Sequence, residues 1–199
     1  MKIALYGSTP ITFACARRLV DDGKHEIVGY VPSHNPTLLG RMHDVLPVVP
    51  RDVECDLRLS IQYDRKLEVD GKTANCHTGL LPGFGGCDIL WHTLSEGADH
   101  QGLSFHLINE VMDGGPLIAT CSYPVLPGDT IPDLYRRMIL MAPGFVASCV
   151  DLVDLVGLKA LAKCPADPPF MYHKRGAIHP DDREDYALTL AALKEEFEE

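Results

Sequence analysis

The chain has 199 residues, of which 46% are hydrophobic and 23% charged, which suits one sizeable core better than two full domains. A formal net charge of −10 disfavours nucleic-acid partners, because gripping phosphates needs a positive surface. The seven cysteines are scattered and favour reduced thiols in the cytoplasm. Neither a signal-like segment nor an apolar run of about 18 residues is visible. We therefore expect a cytoplasmic protein that does not enter membranes and handles small metabolites.

The N-terminal segment reads as strand, turn, helix and stop. An apolar run over 2–6 precedes a Gly-Ser-Thr-Pro turn, and an amphipathic stretch covers 11–20. Thr9 can cap this helix, Pro10 supplies its preset first dihedral, and Gly23 can take the left-handed conformation that ends it. The segment predicts a strand followed by a well-delimited helix.

Further strand signals follow in the first third of the chain. Residues 25–31 and 56–63 have the composition and partial alternation of strands, and the apolar stretch 45–49 lies between them. Strands that alternate with helical segments indicate a parallel arrangement. The predicted fold class is α/β, with a Rossmann-like, mostly parallel sheet and flanking helices.

The central part predicts a short helix and two strands. Residues 88–95 suit the helix, with Gly97 as its stop, and 103–108 and 117–125 suit strands on either side of an Asp-Gly-Gly turn. These elements continue the α/β pattern.

A long helix is predicted next. Thr130 and Asp133 resemble a capping box with Asp in place of Glu, and the apolar pattern continues to about Val156. Pro143 and the glycine after it should kink or divide this helix.

The chain after Gly157 has a different character. It is Pro-rich and irregular before a terminal stretch that predicts a helix. We expect a main domain over 1–157 and a C-terminal extension over 158–199. The helix would dock its apolar face on the body, and contact in a homodimer is the alternative. That face comprises Tyr186, Leu190, Leu193 and Phe197.

Asn75 and His77 form the first polar pair of interest. In a strand they would point to the same face, with Cys76 on the other. An isolated pair of this kind arises easily by chance, and Asp113 in its Asp-Gly-Gly sequence is equally a turn residue. Alone, none of the three indicates a function.

The order of the surrounding motifs is more specific than any one of them. It resembles the 10-formyltetrahydrofolate-dependent formyltransferases, which include glycinamide ribonucleotide transformylase, methionyl-tRNA formyltransferase and the sugar N-formyltransferases. The resemblance is strong over 56–156 and fair over 1–31, and the N-terminal half is shorter than in larger relatives by about one helix-strand unit. The matching run is Asn75-Cys76-His77, Thr78-Gly79-Leu80-Leu81-Pro82, Gly85-Gly86, Gly102-Leu103-Ser104-Phe105-His106 and Asp113-Gly114-Gly115-Pro116.

The resemblance implies a catalytic trio of Asn75, His77 and Asp113. The donor would be 10-formyltetrahydrofolate and the acceptor the amine of a small molecule. Asn75 and a protonated His77 would donate to the formyl oxygen, on which negative charge grows as the amine attacks. Asp113 would hold the imidazole and help to relay the amine proton.

The resemblance also implies two binding surfaces. Charge pattern alone would equally allow 64–66 to be a solvated turn, and His106 has a structural hydrogen-bonding role as its alternative. No Cys or His cluster has zinc-like spacing, so no metal is expected. Folate would be bound by Tyr63, Asp64, Arg65, Leu67, Ile108, Val111 and Met112, and the acceptor by Ser8, Thr9, Pro82, Gly86 and His106.

The acceptor follows from family subtypes. The turn at 7–10 resembles that of the tRNA and sugar enzymes, and the stretch after Gly157 is short for the extra barrel domain of the tRNA enzymes. Trp91 and the basic residues Lys174 and Arg175 resemble features of the sugar N-formyltransferases. An amino sugar or sugar nucleotide is therefore the expected acceptor. The alternatives are methionyl-tRNA or glycinamide ribonucleotide as acceptor, hydrolysis of formyltetrahydrofolate, or a non-catalytic folate-binding module.

Overall fold

The computed structural model describes residues 1–34, 39–166, 168, 171–174, 182 and 192. The predicted terminal helix and Arg175 lie outside these residues. All seven cysteines are free. The elements, in chain order, are β1 (Lys2–Tyr6), α1 (Pro10–Asp22), β2 (Glu26–Val31), α2 (Leu39–Val45), β3 (Leu57–Ile61), β4 (Thr73–His77), β5 (Gly85–Gly86), α3 (Ile89–Ser95), β6 (His100–Leu107), β7 (Leu117–Pro124), α4 (Ile131–Val156), α5 (Leu158–Leu161) and β8 (Tyr172–His173).

A six-stranded sheet organises the molecule, with the strand order β2-β1-β3-β4-β6-β7. The strands β2, β1, β3 and β4 pair in parallel, whereas β6 is antiparallel to β4 and β7 is antiparallel to β6. The predicted α/β class with a mostly parallel sheet and flanking helices is therefore confirmed. Its central strand β4 has a parallel neighbour on one side and an antiparallel neighbour on the other.

The first helix, α1, begins and ends as the sequence predicts. The Thr9 hydroxyl accepts from the Thr12 backbone N–H, and the Thr12 hydroxyl accepts in return from the Thr9 N–H, each at 3.3 Å. Pro10 lies in the first turn, and Gly23 ends the helix at φ 60°. This reciprocal cap satisfies two N–H groups that a helix start would otherwise leave unpaired.

The long helix α4 begins at the predicted capping box of Thr130 and Asp133 and is continuous through Pro143. Pro143 therefore does not divide the helix, and a kink there, the other predicted outcome, stays a prediction. A proline removes one helical hydrogen bond, but Ala142 and Val146 on either side of it are fully buried. Packing against the core stabilises the helix on both sides of the interruption.

By length and composition alone, α4 could cross a membrane, with a mean hydropathy of 1.9. The core helix of a water-soluble protein passes the same test, so this is weak evidence. One face of α4, including Leu134, Met138 and Val150, is fully buried in the hydrophobic core, where the helix packs against α1 and β6.

The two faces of the sheet carry cores of different size. Ile3 and Leu5 of β1 join the large core, to which α1 and α4 contribute. Ala4 and Tyr6 alternate with them and join a smaller cluster, against which Tyr63 and other loop side chains pack. Alternation along β1 therefore assigns the helices to one face and loop residues to the other.

Candidate active site

Asn75 and His77 project from the same face of the central strand β4. The register places Asn75 opposite His106 and His77 opposite Ser104 on the antiparallel neighbour β6. Cys76, between them, is buried in the large core. The prediction that the polar pair shares one face is confirmed, and the pairing adds His106 directly across from Asn75.

Asp113 reaches this face from the loop after β6. Its Oδ1 lies 3.7 Å from His77 Nδ1 and 3.7 Å from His106 Nε2. Its Oδ2 accepts a hydrogen bond of 2.8 Å from the Gly86 N–H. The structure therefore brings the three predicted catalytic side chains together, with His106 as a fourth polar member.

The loop that carries Asp113 depends on a close backbone approach. Asp113 has a φ of 54°, and a Cβ added at Gly115 would lie 1.7 Å from the Leu107 carbonyl oxygen. Only glycine allows that approach. The Asp-Gly-Gly sequence is thus a tight turn as well as the carrier of a site carboxylate.

His106 is almost completely buried and bonds in two directions. Its Nδ1 lies 3.0 Å from the Leu107 carbonyl, which can only accept, so Nδ1 carries the proton. In the neutral ring Nε2 then accepts from Asn75 Nδ2 at 3.2 Å. Burial lowers the pKa of His106, as does nearby His77, against the opposing effects of the Leu107 carbonyl and Asp113. These contacts fit the hydrogen-bonding alternative for His106, and acceptor binding stays a prediction.

His77 has a backbone partner that the sequence did not predict. Its Nε2 lies 2.8 Å from the Phe84 carbonyl oxygen, to which it must donate. The other nitrogen, Nδ1, faces Asp113. A Cβ at Gly79 would lie 2.8 Å from His77 Nε2 and 2.5 Å from the Phe84 oxygen. The contact therefore requires glycine at position 79, and that glycine is the trace it leaves in the sequence.

The loop from 79 to 86 forms one wall of the site. Buried Ser104 braces it, because its hydroxyl accepts from the Leu81 N–H at 2.9 Å and donates to the Gly79 carbonyl at 2.7 Å. Pro82, half-buried, follows a cis peptide bond. Gly86, whose φ is 101°, directs its N–H at the Asp113 carboxylate. Acceptor contacts by Pro82 and Gly86 stay predictions.

The other two predicted acceptor residues lie in the turn after β1. The Ser8 hydroxyl is buried and accepts from the Ser33 N–H at 3.2 Å. The Thr9 hydroxyl caps α1. Both hydroxyls therefore have roles inside the fold, and their contact with an acceptor stays a prediction.

The predicted folate loop after β3 is held by the end of β2 and by the smaller cluster. The Tyr63 ring meets Tyr6 edge-on, with a centroid distance of 5.4 Å, and Leu67 packs on the same cluster. Asp64 accepts from the His34 N–H at 2.8 Å, and Arg65 lies 3.0 Å from the His34 ring nitrogen. Among the described residues, the buried Tyr63 hydroxyl has no hydrogen-bond partner.

The second predicted folate wall, 108–112, lies directly before Asp113. The Ile108 N–H donates to the Thr73 carbonyl at 3.1 Å, which ties the start of this wall to β4. Val111 and Met112 are 49% and 57% exposed. Such exposed apolar side chains beside a polar cluster suit a flat ring system. Folate binding by both walls stays a prediction.

Comparisons with known proteins identify chains similar to this one. Residues 67–145 match the family model described as formyl transferase. Methionyl-tRNA formyltransferase of Streptomyces avermitilis is 27% identical over 84% of this chain and 64% of its own length. Phosphoribosylglycinamide formyltransferase of Haemophilus influenzae is 31% identical over 34% of this chain and 32% of its own. The chain thus spans less than two thirds of these relatives.

The fold has a counterpart among solved structures. The N-formyltransferase of Helicobacter canadensis, crystallised with folinic acid and dTDP-3-aminofucose, superposes with a TM-score of 0.75 at 16% identity, over 90% of this chain and 72% of that one. The resemblance predicted from the ordered motifs is therefore confirmed. Over residues 67–145 the chain is similar to formyl transferases, and it shares the fold of the Helicobacter N-formyltransferase.

Proposed function

We propose that the protein transfers a formyl group from 10-formyltetrahydrofolate to the amine of a small acceptor, an amino sugar or sugar nucleotide. The observation that carries the proposal is the convergence of Asn75, His77 and Asp113 at one end of the central strand. Their two sources, a strand and a distant loop, make a chance arrangement a poor explanation. The match of residues 67–145 to formyl transferases supports a formyl folate as the donor.

Asn75 suits the role of donor to the formyl oxygen. Its amide has two N–H bonds, and one of them points to His106 Nε2. That bond fixes which end of the amide is nitrogen, because the Nδ1 proton of His106 is committed to the Leu107 carbonyl. The second N–H is then oriented in advance. Such a donor stabilises the oxygen as charge develops and needs no reorganisation during the reaction.

His77 and Asp113 suit the movement of a proton better than the predicted donation from His77 to the formyl oxygen, because Nε2 of His77 bonds to the Phe84 carbonyl and Nδ1 faces Asp113. Because the Nε2–H of His77 donates a hydrogen bond to the Phe84 carbonyl, a second proton, at Nδ1, would face the Asp113 carboxylate. The 3.7 Å gap exceeds a normal hydrogen bond, so the pair can tighten when substrate binds. Asp113 is held at its other oxygen by Gly86. In this reading the attacking amine loses its proton towards this pair as the new carbon–nitrogen bond forms. The bond between the formyl carbon and N10 of the folate then breaks, and N10 takes up a proton as tetrahydrofolate leaves.

The choice of acceptor draws on the structural neighbour and on the net charge. The Helicobacter enzyme that shares this fold over 90% of the chain was crystallised with a nucleotide-linked amino sugar. The net charge of −10 also works against a polyanionic tRNA acceptor.

An acceptor panel tests the proposal. The protein is incubated with 10-formyltetrahydrofolate and amino sugars, nucleotide-linked amino sugars, glycinamide ribonucleotide or methionyl-tRNA, and tetrahydrofolate release is followed. We expect release to depend on an amino-sugar acceptor. If formate is released at full rate without any amine, the activity is hydrolysis of formyltetrahydrofolate and the proposal of formyl transfer is wrong. No release with any acceptor, together with folate binding in calorimetry, would instead indicate a binding module.

The matched variants for this panel are Asp113→Asn and His100→Gln. Asp113→Asn keeps the size of the side chain and removes its charge. His100 is exposed at the start of β6 beside Asp99, outside the trio. We expect the first variant to lose turnover and the second to keep it.

A further inference from the structure

Three side chains with metal-binding atoms meet beside α3. His92 and Glu96 are four residues apart on one side of its C-terminal end, and His173 comes from β8. His92 Nδ1 lies 3.3 Å from Glu96 Oε1, and His173 Nε2 lies 3.6 Å from the same oxygen. One ligand atom from each residue can be chosen so that all three lie within 4.8 Å of one another.

These separations suit a small tetrahedral ion. Zinc bonds of about 2.0 to 2.1 Å at tetrahedral angles separate neighbouring ligand atoms by about 3.4 Å. Both measured distances to Glu96 are close to that value. The two imidazole rings stack with centroids 3.6 Å apart and planes 20° apart. A turn of each ring about its side-chain bonds would direct one nitrogen from each towards the shared carboxylate.

The two histidines also have unmet hydrogen-bonding capacity. His92 is 6% exposed, and Nε2 of His92 and Nε2 of His173 are buried without a hydrogen-bond partner in the part of the chain that the structure describes. Buried polar atoms of this kind usually have a partner, because leaving them unpaired costs free energy. A cation at the cluster would accept the lone pair of His173 Nε2, the atom that faces Glu96, whereas His92 would bind through Nδ1 and keep its proton on Nε2.

We infer that His92, Glu96 and His173 bind a divalent transition-metal ion of the zinc class and that this ion fastens the C-terminal segment 171–174 to α3. Two imidazoles and one carboxylate are ligands that zinc and cobalt prefer, whereas magnesium and calcium prefer oxygen ligands alone. A water molecule would complete the tetrahedron.

The position of the ion would connect it to the wall of the active site. The segment pairs with β5, where Gly86 is opposite His173 and the Cys87 N–H donates to the His173 carbonyl at 2.9 Å. A Cβ at Gly86 would lie 2.1 Å from that carbonyl oxygen. Gly86 in turn holds Asp113. Metal bound at the cluster would therefore keep β8, β5 and Asp113 in register.

Calorimetric titration of the metal-free full-length protein with Zn²⁺ tests the inference. We expect one equivalent to bind in the wild type and in His100→Gln, which alters another histidine beside an acidic residue. Affinity should fall at least about tenfold in Glu96→Gln and His173→Gln, since changes even to residues behind a metal ligand cost that much. Melting curves in chelator would show that the variants fold.

Cysteine ligation has to be separated from binding at this cluster. Titration with Co²⁺ gives visible ligand-field bands for any tetrahedral site and an additional charge-transfer band when thiolate binds. We expect the first without the second, and the same spectrum in Cys87→Ser, the variant of the cysteine beside β5. Unchanged affinity in both Glu96→Gln and His173→Gln, or no stoichiometric binding, would overturn the inference. Neither titration contains folate, so the proposed formyl transfer is judged separately.

Discussion

Replacing Asn75 by alanine should affect catalysis and stability through two different N–H bonds. The Asn75 amide offers one N–H to His106 Nε2 at 3.2 Å and, in the proposed reaction, the other to the formyl oxygen. Alanine removes both. The catalytic loss acts only when charge builds on that oxygen, whereas the loss at His106 acts whenever the protein is folded.

The two losses have different expected sizes. Removing one pre-oriented donor to a developing oxyanion costs about 2.7 to 4 kcal/mol, or about 10²- to 10³-fold in kcat. Leaving the buried Nε2 of His106 without a donor costs about 1 to 3 kcal/mol of the free energy of unfolding. A protein of ordinary stability survives that second loss, so Asn75→Ala should fold and still be nearly inactive.

The assay combines initial rates of tetrahydrofolate release at saturating substrates with urea unfolding of the same preparations. His106→Gln is the matched variant, because it also breaks the bond between the two side chains yet leaves the Asn75 amide in place. We expect comparable losses of stability in both variants and the larger loss of kcat in Asn75→Ala. A kcat of Asn75→Ala within tenfold of the wild type would refute the assignment of Asn75 as the oxyanion donor.

Three further changes test other parts of the structure. Asp113→Asn should lower kcat at least about a hundredfold with little change in unfolding, because it removes the charge that accepts the amine proton; a turnover that stays normal in the transfer assay would contradict that role. Gly115→Ala should destabilise the fold by more than about 3 kcal/mol, since its Cβ would lie 1.7 Å from a carbonyl oxygen, whereas Gly144→Ala in α4, which meets nothing within 4 Å, should stabilise it by up to about 1 kcal/mol. Urea unfolding measures both, and similar shifts would be inconsistent with the close approach at Gly115. Burial lowers the pKa of His106, so below about pH 6.5 the unfolded chain takes up a proton that the folded protein refuses until the lower native pKa is reached. As the pH is lowered across that window, the free energy of unfolding should therefore decrease, and it should decrease less steeply in His106→Gln. An identical slope in the variant would exclude His106 as the source of the pH dependence.

Sequence reasoning succeeded where the signal was local. The cap at Thr9 and the capping box at Thr130 depend on residues within one helical turn, so their chemistry can be predicted from neighbouring letters. The shared face of Asn75 and His77 follows in the same way from the two-residue period of a strand. Of the two outcomes predicted at Pro143, a kink or a division, the division does not occur, because packing on both sides stabilises the helix.

Contacts between distant segments could not be predicted from local patterns. The bond from Asn75 to His106 depends on the register between β4 and β6, which only the folded sheet fixes. The Phe84 carbonyl that accepts the hydrogen bond from His77 is a backbone group, so the residue type at position 84 does not predict the contact. The cluster at His92 was invisible for a related reason, since its third member comes from the far end of the chain and the ligand spacing fits no local metal motif.

The mixed pairing of β4 distinguishes a rigid part of the active site from a part that can vary in sequence. Asn75 is paired through its backbone with Ser60 on a parallel neighbour and with His106 on an antiparallel one, so it belongs to the least deformable part of the chain. The wall formed by 79–86 lies outside that ladder, yet Gly79 and Gly86 have no room for a Cβ, so substitutions are tolerated better at half-buried positions such as Pro82. Under the proposed function, a change of acceptor would arise at such positions, with the backbone pairing of Asn75 inherited unaltered.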